Sequence, residues 1–344
     1  MKSRPFLPVL TVLLAYSLSA AQEFRVDAAA DGKADSGYHT KWDSTHGRLL
    51  LYRDVGSADV PAARIFRSDG SSLPIYLLRD FRDAKFADIW AASATPQGGM
   101  IMSVVLGFGD RPDPRDQSKP FPALRSLLLT YDSDGALKKV WNVAPYQHQA
   151  LAVDAEGNVF ALGTRDAGPE GFPTIIKYSP SGKVLGEYAP STLFTGGESA
   201  LDGDSLNGSA ELLIRKQRLV LWLTSLREVF QFSLTGELKK KIPLGRVLDA
   251  LARHNGYEKA TVIGLAVSDS GELTAQIRMW PKSTSAQGIM IGMATLSDEA
   301  SEAKLVVLPT PMETVPQRFL GLGEDSRPVF LEHSERNQIV VRKH

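Results

Sequence analysis

Two kinds of hairpin alternate along this chain, and that recurrence restricts the fold more than any other feature. In the first kind, two near-continuously apolar runs flank a turn opened by Asp or Ser and closed by Gly. Leu151-Ala152-Val153-Asp154-Ala155-Glu156-Gly157-Asn158-Val159-Phe160 is the cleanest copy; others begin at Trp42, Ile89, Gly264 and Leu320, and at Leu212 the same apolar runs flank a turn from Arg215 to Arg218. In the second kind an aromatic residue precedes the turn and a polar, alternating strand follows it. Tyr131-Asp132-Ser133-Asp134-Gly135 and Phe232-Ser233-Leu234-Thr235-Gly236 carry it, as do Phe66 to Gly70 and Tyr178 to Gly182. Met290 to Leu308, with an acidic turn around Ser297 to Ser301, is a degenerate fifth copy. Glycine at the end of such a turn supplies the positive φ that a right-twisted hairpin requires. Continuous apolar runs read as strands buried on both faces, and lysine-bearing alternation as outer, half-exposed strands.

Pairing each first-kind hairpin with the next second-kind hairpin gives four-stranded units about 55 residues apart, the spacing of a propeller array. Five units are complete. The sixth has its inner hairpin and one further strand, Gln338 to Arg342, while Glu23-Phe24-Arg25-Val26-Asp27 stands unassigned near the other end. Using it as the missing outer strand covers both terminal edges. The expectation is an all-β, six-bladed β-propeller closed by the N-terminal strand. A pair of β-sandwiches is the competing architecture.

The run Gln147-His148-Gln149-Ala150-Leu151-Ala152-Val153-Asp154-Ala155-Glu156-Gly157-Asn158-Val159-Phe160 resembles an NHL-type propeller repeat. Gly264 to Leu273 is similar, with Ser268 in place of the aspartate, and the other copies depart further. The resemblance implies a propeller and carries no activity with it, because propellers host enzymes, receptors and scaffolds alike.

The first 21 residues read as a targeting segment. Lys2 and Arg4 precede an apolar run from Phe6 through Leu18, and Ser19-Ala20-Ala21 offers a small-x-small cleavage site before Gln22. The expected organisation is a signal peptide over 1–21 and one propeller domain over 22–344, secreted or periplasmic, with no membrane span after cleavage. Among the 344 residues, 39 basic and 39 acidic side chains cancel, which leaves no electrostatic footprint for nucleic acid. The absence of cysteine excludes disulfides, thiolate metal sites and a thiol nucleophile, so stability must come from the core.

In a four-stranded blade both hairpin turns fall on one face, and the connections within and between blades fall on the other. Here the second set is long. Residues 78–88 hold Arg79, Asp80, Arg82 and Asp83, and residues 107–125 hold Asp110, Arg111, Asp113, Arg115, Asp116 and Arg125. Residues 163–173 hold Arg165, Asp166, Glu170 and Phe172, and residues 189–208 hold Glu198, Asp202 and Asp204. Long loops on one side of a rigid scaffold are where binding residues concentrate.

The binding residues expected from this reading are His148, Arg111, Arg115, Arg165 and Asp166. Arg111 and Arg115 can grip a carboxylate through two hydrogen bonds each. His148 is placed at the mouth of the central channel. The histidines show no metal-ligating spacing, Asp202-Gly203-Asp204 lacks the closing Glu of a calcium loop, and no nucleophile elbow or phosphate loop occurs. Residues 245 to 254 read as a short helix with Val247, Leu248, Leu251 and Ala252 on its packing face.

The leading expectation is a monomeric binding or scaffold module for a protein, peptide or carbohydrate, acting through the long-loop face with no cofactor. The alternative is a propeller enzyme, a metal-assisted hydrolase or lyase, that centres a divalent cation on the channel axis. It would need carboxylate, Asn or His groups from several inner strands, for which Asp88 and Asn207 stand behind His148. Trp90, Trp222, Trp280 and Phe172 are the aromatic groups a carbohydrate would stack on, with Trp90 and Trp222 read as core.

Overall fold

The computed structural model describes residues 23–27, 39–43, 46–67, 69–111, 122–165, 171–194, 210–215, 217–223, 227–268, 270–282, 288–297, 302–311, 317–323, 326–333 and 338–343. The proposed signal segment, Arg115, Asp166, Asp202, Asp204 and Asn207 lie outside them.

The chain forms a β-propeller of four-stranded antiparallel blades. Blade one is β2 (His39–Asp43), β3 (Arg48–Tyr52), β4 (Ala63–Phe66) and β5 (Ser72–Ile75), and blade two is β6 (Phe86–Ala94), β7 (Met100–Gly107), β8 (Leu124–Tyr131) and β9 (Leu137–Asn142). Blade three is β10 (Tyr146–Val153), β11 (Val159–Arg165), β12 (Pro173–Tyr178) and β13 (Val184–Pro190). Blade four is β14 (Ala210–Arg215), β15 (Arg218–Leu223), β16 (Glu228–Ser233) and β17 (Leu238–Pro243). Blade five is β18 (Lys259–Val267), β19 (Leu273–Trp280), β20 (Met290–Leu296) and β21 (Ala303–Pro311).

Consecutive strands thus build five blades, one fewer than the repeat count predicts. The remaining sheet is composite, because the sixth set of hairpins runs short. It holds β22 (Gln317–Leu322), β23 (Pro328–His333), β24 (Gln338–Lys343) and β1 (Glu23–Asp27) in the order β1-β24-β23-β22. β1 runs antiparallel to β24, with Glu23 opposite Arg342 and Asp27 opposite Gln338.

Burial follows the two hairpin types. All eight residues of β7 are buried, as are the first six of β11 and the last five of β15. Most of β9 and β13 is partly or fully exposed. The core lies between sheets. One cluster joins Ile65 and Ile75 of blade one to Met102 and Leu106 of blade two, and another joins Leu128 and Ala91 to Leu151 and Ile176. Phe160 and Ile175 meet Leu219 and Phe230, and Val220 meets Leu265 and Leu273. The composite sheet packs on blade five through Phe319 and Phe330 against Ala266 and Met293. It packs on blade one through Val329 and Leu331 against Trp42 and Leu49. Each such side chain contributes about 1.5–3 kcal/mol on burial.

Cations lock the turn side. Arg67 donates to Ser133 O at 3.1 Å, Lys139 to Pro180 O, and Lys177 to Leu234 O at 3.3 Å. In each case one blade caps a carbonyl in the outer turn of the next. Among the described residues the opposite side carries α1 (Leu77–Asp80), a 3-10 turn at Ser191–Phe194, and α2 (Gly245–His254), which buries Leu248, Leu251 and Ala252 as the apolar spacing predicts. Among the described residues no helix is long and apolar enough to cross a membrane.

Candidate functional site

The long-loop face is organised around the first residues of the innermost strands. At the start of β6, Asp88 accepts a hydrogen bond from Arg111 at 2.6 Å, tying the loop after β7 to the channel rim. The guanidinium lies 4.9 Å from the centre of the Phe86 ring and the Arg111 side chain is 51% exposed, so it is held but presented. Burial raises the Asp88 carboxyl above the usual aspartate range, against the pull of Arg111 and with the help of nearby Asp54. Arg125 repeats the arrangement over Phe108 at 4.8 Å. Arg79 lies 3.9 Å over Tyr76 and within 3.6 Å of Asp59.

Next along the ring, Tyr146 and Arg165 are cross-strand partners at the long-loop ends of β10 and β11. Arg165 donates to the Tyr146 hydroxyl, whose pKa burial raises. Tyr146 stacks on His148 at 5.8 Å with the rings 4° from parallel.

His148 itself is not at the channel mouth. Its ring is fully buried, with Nε2 2.9 Å from the Tyr178 hydroxyl and the Tyr178 ring edge-on. Burial pushes its pKa down to about 3, so the ring is neutral at ordinary pH, and Nδ1 meets no hydrogen-bond partner among the described residues. A β-bulge follows His148 directly. Pairing of β10 with β11 slips between His148 and Ala150, so Gln149 is the extra residue and the in/out alternation resets there. His148 lies just before that bulge, on the same face as Tyr146, with its ring enclosed by Tyr146 and Tyr178.

Of the expected binding residues, the structure thus puts Arg111 and Arg165 on the long-loop side, and sends His148 into the core beneath Tyr146. Trp222 is core, as read from the sequence. Trp280 donates from Nε1 to Thr261 Oγ1 at 3.2 Å and is flanked by Lys259 and Arg278. Among the described residues no three His, Asp or Glu side chains converge as a metal would require.

Two hollows open on the axis, and the sequence signalled neither. A cavity of about 90 Å³ is walled by β2, β14, β18 and β22, with Lys41, Glu211 and Arg215 among apolar groups. A wider one of about 400 Å³ lies at the turn-side mouth, lined by Asp43, His46, Thr95, Asp154, Glu156 and Arg215. Both of its aspartates are committed: Asp43 to His46 at 2.7 Å, and Asp154 to the backbone and side chain of Asn158 at 2.7 and 2.9 Å.

No family model matches the sequence, and no curated protein matches it. Solved structures do. A member of the DUF4221 family from Bacteroides vulgatus superposes with a TM-score of 0.52 at 9% identity, covering 93% of this chain and 95% of that one. A Bacteroides fragilis protein assigned as exported gives 0.50 at 8% identity, covering 94% of each chain. The likeness is one of fold. A gluconolactonase from Xanthomonas campestris aligns over 90% of this chain and 87% of its own at a TM-score of 0.45 and 14% identity.

Proposed function

We propose that this chain is an extracytoplasmic binding module: a signal peptide over 1–21, then one NHL-like propeller over 22–344 that presents its long-loop face to a ligand. In this reading the composite sheet is the sixth blade and β1 closes the ring, which is supported by its packing on blade five at one side and blade one at the other.

The observation that carries the binding role is the guanidinium of Arg111, fixed by Asp88 and the Phe86 ring yet half exposed at the rim. An arginine ordered before contact loses less side-chain entropy on gripping a carboxylate or sulfate, and offers several donors in one plane. Arg125 over Phe108 extends the same surface, and Arg115 and Asp166, outside the described residues, are assigned to the same binding role from the sequence. Arg165 joins them through Tyr146. His148 acts behind them as a positioning residue that holds the Tyr146 ring. The ligand class favoured is an acidic peptide, protein segment or acidic glycan, bound by a monomer.

The test is an array of acidic and neutral peptides and glycans probed with the mature protein and with Arg111→Ala and Arg125→Ala. Acidic members retained by the wild type and weakened about tenfold or more in either variant support the reading. Binding unaffected by both substitutions overturns it. The alternative of a metal-assisted hydrolase would replace it if the purified protein held a stoichiometric divalent cation and cleaved a lactone.

A further inference from the structure

The smaller axial cavity has an uneven wall with a chemical consequence. Its polar side comes from β2 and β14, which supply Lys41, Glu211 and Arg215. Its apolar side comes from β18 and β22, through Ile263, Leu265, Phe319 and Leu320. In both apolar strands a bulge falls at the cavity: pairing slips between Val262 and Gly264 and between Phe319 and Gly321. The extra residues are Ile263 and Leu320, and each is followed by a glycine. A Cβ at Gly264 would come within 3.2 Å of the Phe319 ring, so the missing side chain is what lets these strands approach around the hollow. Bulges of this kind re-aim side chains beside functional sites.

Lys41 and Glu211 stand partly buried at this hollow, and neither side chain makes an ion pair or hydrogen bond among the described residues. They sit on the innermost strands of blades one and four, separate jaws of the channel. A charge removed from bulk water without a partner is costly, and two opposite charges left apart invite a molecule that carries both complements. The volume, about 90 Å³, is smaller than the roughly 150 Å³ cavity known to accept benzene, so the occupant is small.

We propose that the axial cavity binds a small aliphatic zwitterion of the α-amino acid class. Its carboxylate faces Lys41, with Arg215 adjoining. Its ammonium faces Glu211, and its aliphatic side chain lies on Ile263, Leu265, Phe319 and Leu320. This site is separate from the long-loop surface and does not depend on it.

The experiment is calorimetric titration of the mature protein with L-alanine, L-valine, propionate and propylamine, each up to about 10 mM. The expected result is saturable binding of at least one amino acid, with propionate and propylamine weaker by about tenfold or more. Lys41→Gln and Glu211→Gln should each weaken the amino acid by a similar factor while melting close to the wild type. Thermal stabilisation by the bound amino acid should disappear in the same variants. The proposal is overturned if neither amino acid binds, if propionate or propylamine binds as well, or if both variants bind like the wild type. The ligand panel reads out on the unmodified chain, so the result does not hang on either variant folding.

Discussion

Gly182 lies flat against the indole of Trp141, so close that a Cβ there would sit 2.6 Å from Trp141 Cδ1. Trp141 belongs to the outer strand of blade two and Gly182 to the outer turn of blade three. The same docking recurs with Gly236 against Tyr188 and Gly135 against Leu73. Each outer turn closes on the preceding blade, and the cation-to-carbonyl bonds at Ser133, Pro180 and Leu234 fasten the same seams.

Replacing Gly182 by alanine forces a side chain onto a φ of +85° and into the Trp141 ring. The expected loss is about 2–3 kcal/mol in urea denaturation. In a Trp141→Ala background the added cost should fall to roughly 1 kcal/mol, the backbone share alone. Equal costs in both backgrounds would mean that the seam contact contributes nothing.

His148 links stability to pH. Its folded pKa of about 3 lies below the unfolded value of about 6.5, so protons bind the unfolded chain preferentially. The stabilisation is complete above about pH 6.5 and is lost as pH falls from there toward 3. Between pH 7 and 5 the histidine should cost the folded state about 2 kcal/mol. His148→Gln should have a correspondingly shallower pH dependence, measured as the wild-type-minus-variant difference in unfolding free energy. A constant difference across that range would contradict the buried, neutral ring.

Tyr178→Phe removes the hydroxyl that meets His148 Nε2 and leaves a buried ring nitrogen without its partner. The expected penalty is about 1–3 kcal/mol. Because Tyr146 stacks on the same imidazole, the aromatic NMR signals of Tyr146 should shift in this variant. Unchanged Tyr146 signals would separate the rim from the buried histidine.

Arg227 fastens α2. Its guanidinium donates to Asp249 at 2.8 Å and to Ala260 O at 2.7 Å, joining the helix to β18. Although burial alone would raise the Asp249 carboxyl, its hydrogen bond and attraction to Arg227 hold it below the usual range. Arg227→Met should cost about 1–3 kcal/mol. Hydrogen exchange should quicken first in α2. Uniform acceleration across all blades would refute the local role.

Deleting Glu23 to Asp27 strips β24 of its antiparallel partner. If that pairing seals the ring, the truncated chain should melt roughly 5–10 °C lower. An unchanged melting temperature would remove β1 from any structural role.

Much of the architecture was readable because its determinants are local. Asp154, Gly157 and Asn158 write a tight turn within five residues, with Gly157 at a φ of +82° and Asp154 capping Asn158 N. Such signals repeat blade by blade, so strand pairing and the polar outer strands could be counted directly. The count overran at the end, where the sixth set of hairpins is incomplete and the structure recruits β1 from the far end of the chain.

The site was far less legible. Placed ahead of the inner strand by its sequence context, His148 in fact lies inside β10, before the bulge at Gln149, and packing against Tyr178 from a distant strand buries it. Bulges at Ile263 and Leu320 set the cavity wall, and nothing local announces them. Lys41 and Glu211 are 170 positions apart and share a hollow only because separate blades converge on one axis. Turn chemistry and hydrophobic period act over a few residues, so the hairpins, their two characters and the side bearing the long loops could be read along the chain. Which side chains face the axis emerges only on folding, because that depends on bulge position and on how the sheets close around one another.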